Sequence, residues 1–278
     1  MSLRKSVLEI IELHKGGKGS GNFNHRGQGN GKVGGSSSSS SPLSLKDAAS
    51  ELKQLGVREI LFESSNKPAL EESLGEMVTQ VRAFSRIFGI KKTDVRIVMK
   101  DPYENDSATF DPIRDTVTIY GKDGETIGHE LGHRFDYLVH LKTNHSMGFQ
   151  SDSQSPSTIK NIVDAMEKTP EYKWWKLADF RKDENYLASR TEMFARAIEQ
   201  YVYLKDKNYK KSVDKNYAQE DQKAFLALQA WVKPDVFNEN IAPLIDQLVS
   251  EKLFKGGAGS GNFNHPGQGN GKRGGSGK

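Results

Sequence analysis

TIGHELGHRFDYL, residues 126–138, is the stretch from which the rest of this chain is read. His129 and His133 stand four positions apart, so on a helix they share one face and both imidazoles can reach a single ion. Glu130 directly follows the first histidine, close enough to hold and deprotonate a water on that ion. The H-E-x-x-H pattern is therefore a mechanism as well as a spelling: two metal ligands and a base one residue from the first. The competing reading, a helix face with two structural histidines, must also explain the elements on either side.

Upstream, Ser44–Leu55 has helical periodicity with Ser44 as an N-cap, and Gly56 stops it. Val57–Glu63 reads as a short strand, and Pro68–Ile90 as an amphipathic helix with Leu74, Met77, Val78, Val81, Phe84 and Ile87 on one face. Val95–Met99 and Thr116–Tyr120 read as strands, residues 121–124 as a turn, and the metal helix begins near Glu125. From Ser157 onward the signals are mostly helical, including Tyr186–Leu204 and Gln219–Val232. The expected class is α+β, with a small sheet, an H-E-x-x-H helix and a mostly helical C-terminal part: the order of a zincin-like domain. In that order the strand before the metal helix is the sheet edge that receives an extended substrate. Thr116, Val117, Thr118, Ile119 and Tyr120 are the expected edge.

Two histidines make an incomplete site, since a catalytic zinc takes three protein ligands and keeps one position open. No third histidine follows at the longer motif's spacing: position 136 is Asp and position 139 is Val. Asp136, one turn along the same face, is better placed to support a ligand than to ligate. Glu192, in the helical segment SRTEMFARAIEQYV, is the expected third ligand, with Glu199 on the same helix as runner-up. Tyr186, Arg190 and His145 are candidates to donate a hydrogen bond to the developing oxyanion.

The chain has 278 residues and no cysteine, so disulfides and thiolate metal sites are excluded and a metal must use His and carboxylate. His-His-Glu suits Zn2+. No apolar run approaches a membrane span. The opening MSLRKSVLEIIELHKGG is amphipathic rather than signal-like, so the expected location is the cytoplasm, with no membrane partner. The net charge of +4 is unevenly placed: residues 1–35 carry six basic and two acidic side chains, residues 252–278 five basic and none acidic, and residues 36–251 sum to −5. Basic glycine-rich ends on an acidic globule read as solvated linkers, and nucleic acid is a weak expectation because the glycine-rich segment within each end carries one aromatic and few arginines.

Those ends are two copies of one segment. KGGKGSGNFNHRGQGNGKVGGS at 15–36 and KGGAGSGNFNHPGQGNGKRGGS at 255–276 agree at 19 of 22 positions. Nineteen of the 27 glycines lie in residues 1–35 and 252–278, a density that builds no packed core. A spacer needs no repeated spelling. Gly21, Asn22, Phe23, Asn24 and His25, echoed by Gly261, Asn262, Phe263, Asn264 and His265, therefore read as segments that are recognised or processed. The expected layout is a short helix (1–14), copy 1 with a serine linker (15–42), a metallopeptidase-like domain (43–254) and copy 2 (255–278).

LGVREILFE, the long helix after it, RDTVTIYG, TIGHELGHRFDYL and SRTEMFARAIEQYV together resemble the zincin-like metallopeptidase domains of phage and mobile-element polyvalent proteins, over roughly residues 45–205. The glycine-rich copies resemble GSGNFGH-type stretches of phage head-associated proteins, departing from the commonest form at Asn24 and Gln28. The resemblance implies a phage or prophage origin, a location in the bacterial cytoplasm or on a virion, phage structural proteins as partners, and a zinc metalloendopeptidase in which His129, His133 and Glu192 hold the metal and Glu130 is the base. The expected substrate is a peptide or protein, with its own flanking copies as candidates. Three alternatives stay open: a non-enzymatic virion scaffold, an effector peptidase acting on a host protein, and excision with rejoining of the two copies. Rejoining is chemically disfavoured, because zinc peptidases use water directly and form no acyl-enzyme.

Overall fold

In a computed structural model the described residues are 44–65, 67–88, 95–101, 108–121, 126–177, 186–216, 231–251 and 253. The expected short helix at 1–14 and both glycine-rich copies lie outside them, as do residues 219–230 of the expected helix at Gln219–Val232 and residues 122–124 of the expected turn. Trp231 and Val232 are described and are not helical.

The N-terminal half is helix and strand in alternation. Helix α1 (Leu45–Gln54) starts at Ser44, whose hydroxyl accepts from the Asp47 N–H at 3.2 Å, and ends before Gly56, whose φ of 96° is open to glycine. Strand β1 (Glu59–Phe62) leads into α2 (Lys67–Phe88), 22 residues long because Leu70, Leu74, Met77, Val78, Val81, Phe84 and Phe88 form one buried stripe. That helix is the crossover that allows β2 (Arg96–Lys100) to lie parallel to β1. Strands β3 (Ala108–Asp111) and β4 (Thr116–Tyr120) follow as a hairpin, and the sheet order is β1-β2-β4-β3. The class is α+β, as the sequence indicates, with a mixed four-stranded sheet.

The hairpin corrects one expectation. Thr116, Val117, Thr118, Ile119 and Tyr120 are not a sheet edge: β4 pairs parallel with β2 on one side and antiparallel with β3 on the other. The reason is local. The Asp111 carboxylate accepts the N–H groups of Ile113 and Arg114 at 2.9 and 3.1 Å, and Asp115 takes φ 48°, so the chain reverses over four residues and lays β3 along β4. The edge on this side is β3.

Helix α3 (Ile127–Asn144) then packs on β3, β4 and α2. After the short 3-10 turn Gln150–Asp152 come α4 (Thr158–Met166), α5 (Pro170–Leu177), the 3-10 turn Tyr186–Ala188, α6 (Arg190–Lys205), α7 (Lys207–Asn216), α8 (Pro234–Asn240) and α9 (Ala242–Ser250). An aromatic chain ties the helices around the site. Phe88 of α2 lies 5.1 Å from Phe135 of α3, centroid to centroid, and Phe135 stacks at 6.3 Å on Phe194 of α6. Among the described residues no helix is long and apolar enough to cross a membrane.

Candidate metal centre

Helix α3 holds both histidines rigidly because it is buried over most of its length, with Ile127, Leu131, Phe135, Leu138 and Val139 against the rest of the domain. Its first turn leaves backbone donors without helical acceptors. One of these, the Gly128 N–H, donates to the Gln80 side-chain carbonyl of α2 at 2.8 Å, and that glutamine is 1% exposed. The four-residue spacing brings the His129 and His133 rings to 4.7 Å, edge to face, with their Nε2 atoms 3.1 Å apart.

Helix α6 supplies the third donor. Glu192 Oε2 lies 3.2 Å from His129 Nε2, and Glu192 Oε1 lies 3.1 Å from His133 Nε2. A tetrahedral zinc with bonds of about 2.0–2.1 Å separates its ligands by about 3.3 Å. The two Nε2 atoms at 3.1 Å match one edge of such a tetrahedron, with one Glu192 oxygen beside each histidine, and these residues are the one group of three His, Cys or acidic residues whose donor atoms lie within 4.8 Å of one another among the described residues. What lets two helices come this close is Gly132, the glycine of HELGH. A Cβ at that position would stand 2.9 Å from the Ala195 Cα and 3.1 Å from its carbonyl oxygen.

Helix geometry sorts the neighbours of Glu192. At about 100° per residue, Arg196 and Glu199 stand within about 40° of it, whereas Arg190 is about 200° around. Arg196 donates to Glu192 Oε2 at 2.9 Å and to the Leu187 carbonyl at 3.0 Å, holding the ligand carboxylate from behind. Glu199 Oε2 lies 3.7 Å from the other ring nitrogen of His129 and accepts from Trp231 Nε1 at 3.4 Å. A carboxylate behind a ligating histidine fixes its tautomer and raises its basicity. The Tyr186 phenol bonds to Glu192, and its ring lies 5.9 Å from the Arg196 guanidinium.

The charges are strongly interdependent. Burial works against a charged His129, but the Glu192 charge and hydrogen bonds with Glu192 and Glu199 outweigh it and hold the imidazolium up to about 10. Burial likewise opposes the Glu192 carboxylate, yet His133, Arg196 and His129 keep its carboxyl well below the usual range. Glu130, 8% exposed, moves the other way: burial pushes it up against the pull of both histidines. Burial also raises the Tyr186 phenol, with Glu192 adding to it, so the hydroxyl stays protonated.

The structure brings together His129, Glu130, His133, Glu192 and Tyr186, and separates the other candidates. Asp136 is fully buried but not a metal donor; its two oxygens accept from the Ser151 N–H, at 2.9 Å, and the Ser151 hydroxyl, and it reaches His133 by charge alone. Arg190 is not an oxyanion donor. Its guanidinium is spent on Asp164 at 2.9 Å, Glu167 at 2.6 Å and the Ser151 carbonyl at 2.7 Å, facing away from Glu192. His145 is excluded by distance: it is the exposed left-handed C-cap of α3, twelve residues or about 18 Å beyond His133. Sequence reasoning missed Arg196, although its i,i+4 spacing from Glu192 was a readable signal. It weighed Glu199 only as a ligand, and no local signal marked Gln80 or Trp231. Compared with known proteins, the chain matches no family model, no curated protein and no solved structure.

Proposed function

We infer that the chain is a zinc-dependent metalloendopeptidase of the zincin type, and the observation that carries this reading is the His129–His133–Glu192 triangle with Glu130 buried beside it. The layout around it agrees: a parallel sheet, an antiparallel edge strand β3, the motif helix packed along that strand, and a later helix with the carboxylate ligand. When bound, the metal supplies Lewis acidity, bringing a water's pKa toward neutrality and polarising the substrate carbonyl. Glu130 takes one proton from the attacking water as the water oxygen joins the scissile carbonyl carbon. It hands that proton to the departing nitrogen as the C–N bond breaks. The Tyr186 hydroxyl, kept protonated, turns from Glu192 to the carbonyl oxygen as negative charge builds there. Arg196 then remains to hold the ligand carboxylate.

The test is Glu130→Gln against the wild type, on an unfolded protein substrate with one equivalent of zinc. The glutamine side chain keeps the shape of the glutamate and removes the base. The variant is expected to bind one zinc per chain and to lose hydrolysis by about 10²–10⁴-fold. Hydrolysis at wild-type rate would remove Glu130 from the mechanism, and zinc bound by the wild type without hydrolysis would leave a structural metal site.

A further inference from the structure

Copy 2 of the glycine-rich segment leaves the domain close to the metal helix. Leu253, two residues before Lys255, presents its carbonyl to the Lys142 ammonium at 2.6 Å, and Lys142 is in the last turn of α3. Nine residues separate Lys142 from His133, about 14 Å along the helix axis. From Leu253 to Gly261–His265 is eight to twelve residues, a reach of about 26–43 Å. The copy can thus meet its own site with chain to spare. Copy 1 has the longer tether: His25 is 19 residues from Ser44, a reach of about 63–68 Å, against about 40 Å for the width of a domain of some 200 residues.

The surface beside His133 suits what these copies contain. Among the described residues nothing pairs with the outer edge of β3, and a glycine-rich strand meets little steric resistance there. Next to that edge is an aromatic cluster of Phe110 of β3, Tyr137 of α3 and Phe149, which Phe110 joins to the main core. The Phe149 ring lies 6.1 Å from Tyr137 and 6.3 Å from the ligand His133, and Phe110 lies 6.0 Å from Tyr137. Phe110 and Phe149 are half-buried, so apolar surface stays partly open at Phe149, beside His133. Phe23 and Phe263 are the one aromatic in each copy, centred in the repeated Asn-Phe-Asn.

We propose that the two copies are the substrates of this site: each lies along β3 as an extended strand with Phe23 or Phe263 against the Phe110–Phe149 face, and copy 2 is cut by its own domain in cis. This rests on the peptidase reading above, and each cut is the hydrolysis described there, adding one water and leaving a new carboxylate and a new amine.

The full chain, purified in chelator and started with zinc, is followed by intact mass, with an unrelated unfolded protein present in a parallel reaction. Expected are fragments ending within 21–25 and 261–265, absent from Glu130→Gln, with the rate at 261–265 unchanged over a hundredfold dilution. Phe263→Ala is expected to stop the cut in copy 2 and leave copy 1 cut as before, and Phe149→Ala to slow both cuts about tenfold with zinc still bound. Cleavage of the unrelated protein with both copies left whole overturns the proposal and leaves the peptidase reading standing. A copy-2 rate that falls with dilution overturns the cis geometry, and undiminished cleavage in Phe263→Ala overturns the aromatic recognition. If the wild type cuts nothing, the peptidase reading fails and the proposal with it.

Discussion

Gly132→Ala tests whether the distance between two helices sets the metal site. The new Cβ would stand 2.9 Å from the Ala195 Cα, at least half an ångström inside ordinary carbon–carbon contact of about 3.5–4.0 Å. The obstacle is backbone, so no rotamer change relieves it, and α3 and α6 must separate by roughly that amount. Overpacking of this kind costs about 1–3 kcal/mol, and the better helix propensity of alanine returns up to about 1 kcal/mol. The net loss is about 1–2 kcal/mol, or about 2–8 °C in Tm for a domain of this size. The same half ångström appears between Glu192 and the two histidines, whose donors now stand 3.1–3.2 Å apart, so zinc affinity should fall with stability. Thermal unfolding in chelator reads the first effect, and competition with a chromophoric zinc chelator reads the second. A variant that is destabilised but binds zinc as tightly as the wild type would refute the coupling between packing and ligation. A variant unchanged in both would refute the close approach itself.

Other perturbations address single groups. Glu199→Gln removes the charge behind His129 and keeps the shape; zinc affinity is expected to drop about 10–100-fold in the same competition assay, with Tm in chelator changing far less. Because His129 titrates at about 10 and must lose its proton to ligate, zinc binding should release one proton. Affinity should then fall about tenfold per pH unit on acidification from 10 toward 6.5, measured by calorimetry in buffers of different ionisation enthalpy. The folded pKa lies above the ordinary value of 6.5, so in chelator the contribution of this group to stability is fully present below pH 6.5 and is lost as pH rises through 10. Asp115→Asn breaks the buried bidentate pair with Arg134, whose bonds are 2.6 and 2.8 Å, yet asparagine tolerates the φ of 48°. A loss of about 3–5 kcal/mol in urea unfolding is expected from the stranded guanidinium, and a loss under about 1 kcal/mol would show that the pair does not anchor the hairpin.

Two of the three candidate donors were legible because the shared face of His129 and His133 is a property of four consecutive helical steps. Glu192 was legible because its helix pattern runs on both sides of it. Arg190 failed for a reason that sequence also contains: two residues from Glu192 on one helix means nearly the opposite face, which rules out a shared site. The edge strand was harder. Ala108–Asp111 is four residues with little alternation, and its existence depends on the Asp111 side chain turning the chain and on Asp115 accepting a left-handed backbone. Neither property shows in a hydrophobic pattern. Glu199 behind His129, and Gln80 under the first turn of α3, are set by how helices far apart in sequence dock, which no local window records.

The candidate ligands are divided between α3 and α6, with 59 positions from His133 to Glu192. On a ribosome adding about 5–20 residues per second, that interval is about 3–12 s in which the first glycine-rich copy and both histidines exist but the carboxylate does not. A chain interrupted between residues 133 and 192 holds two of the three candidate donors and has nothing with which to complete the set. Translation therefore acts as a timer on this fold: the ligand set closes only after most of the domain has been made.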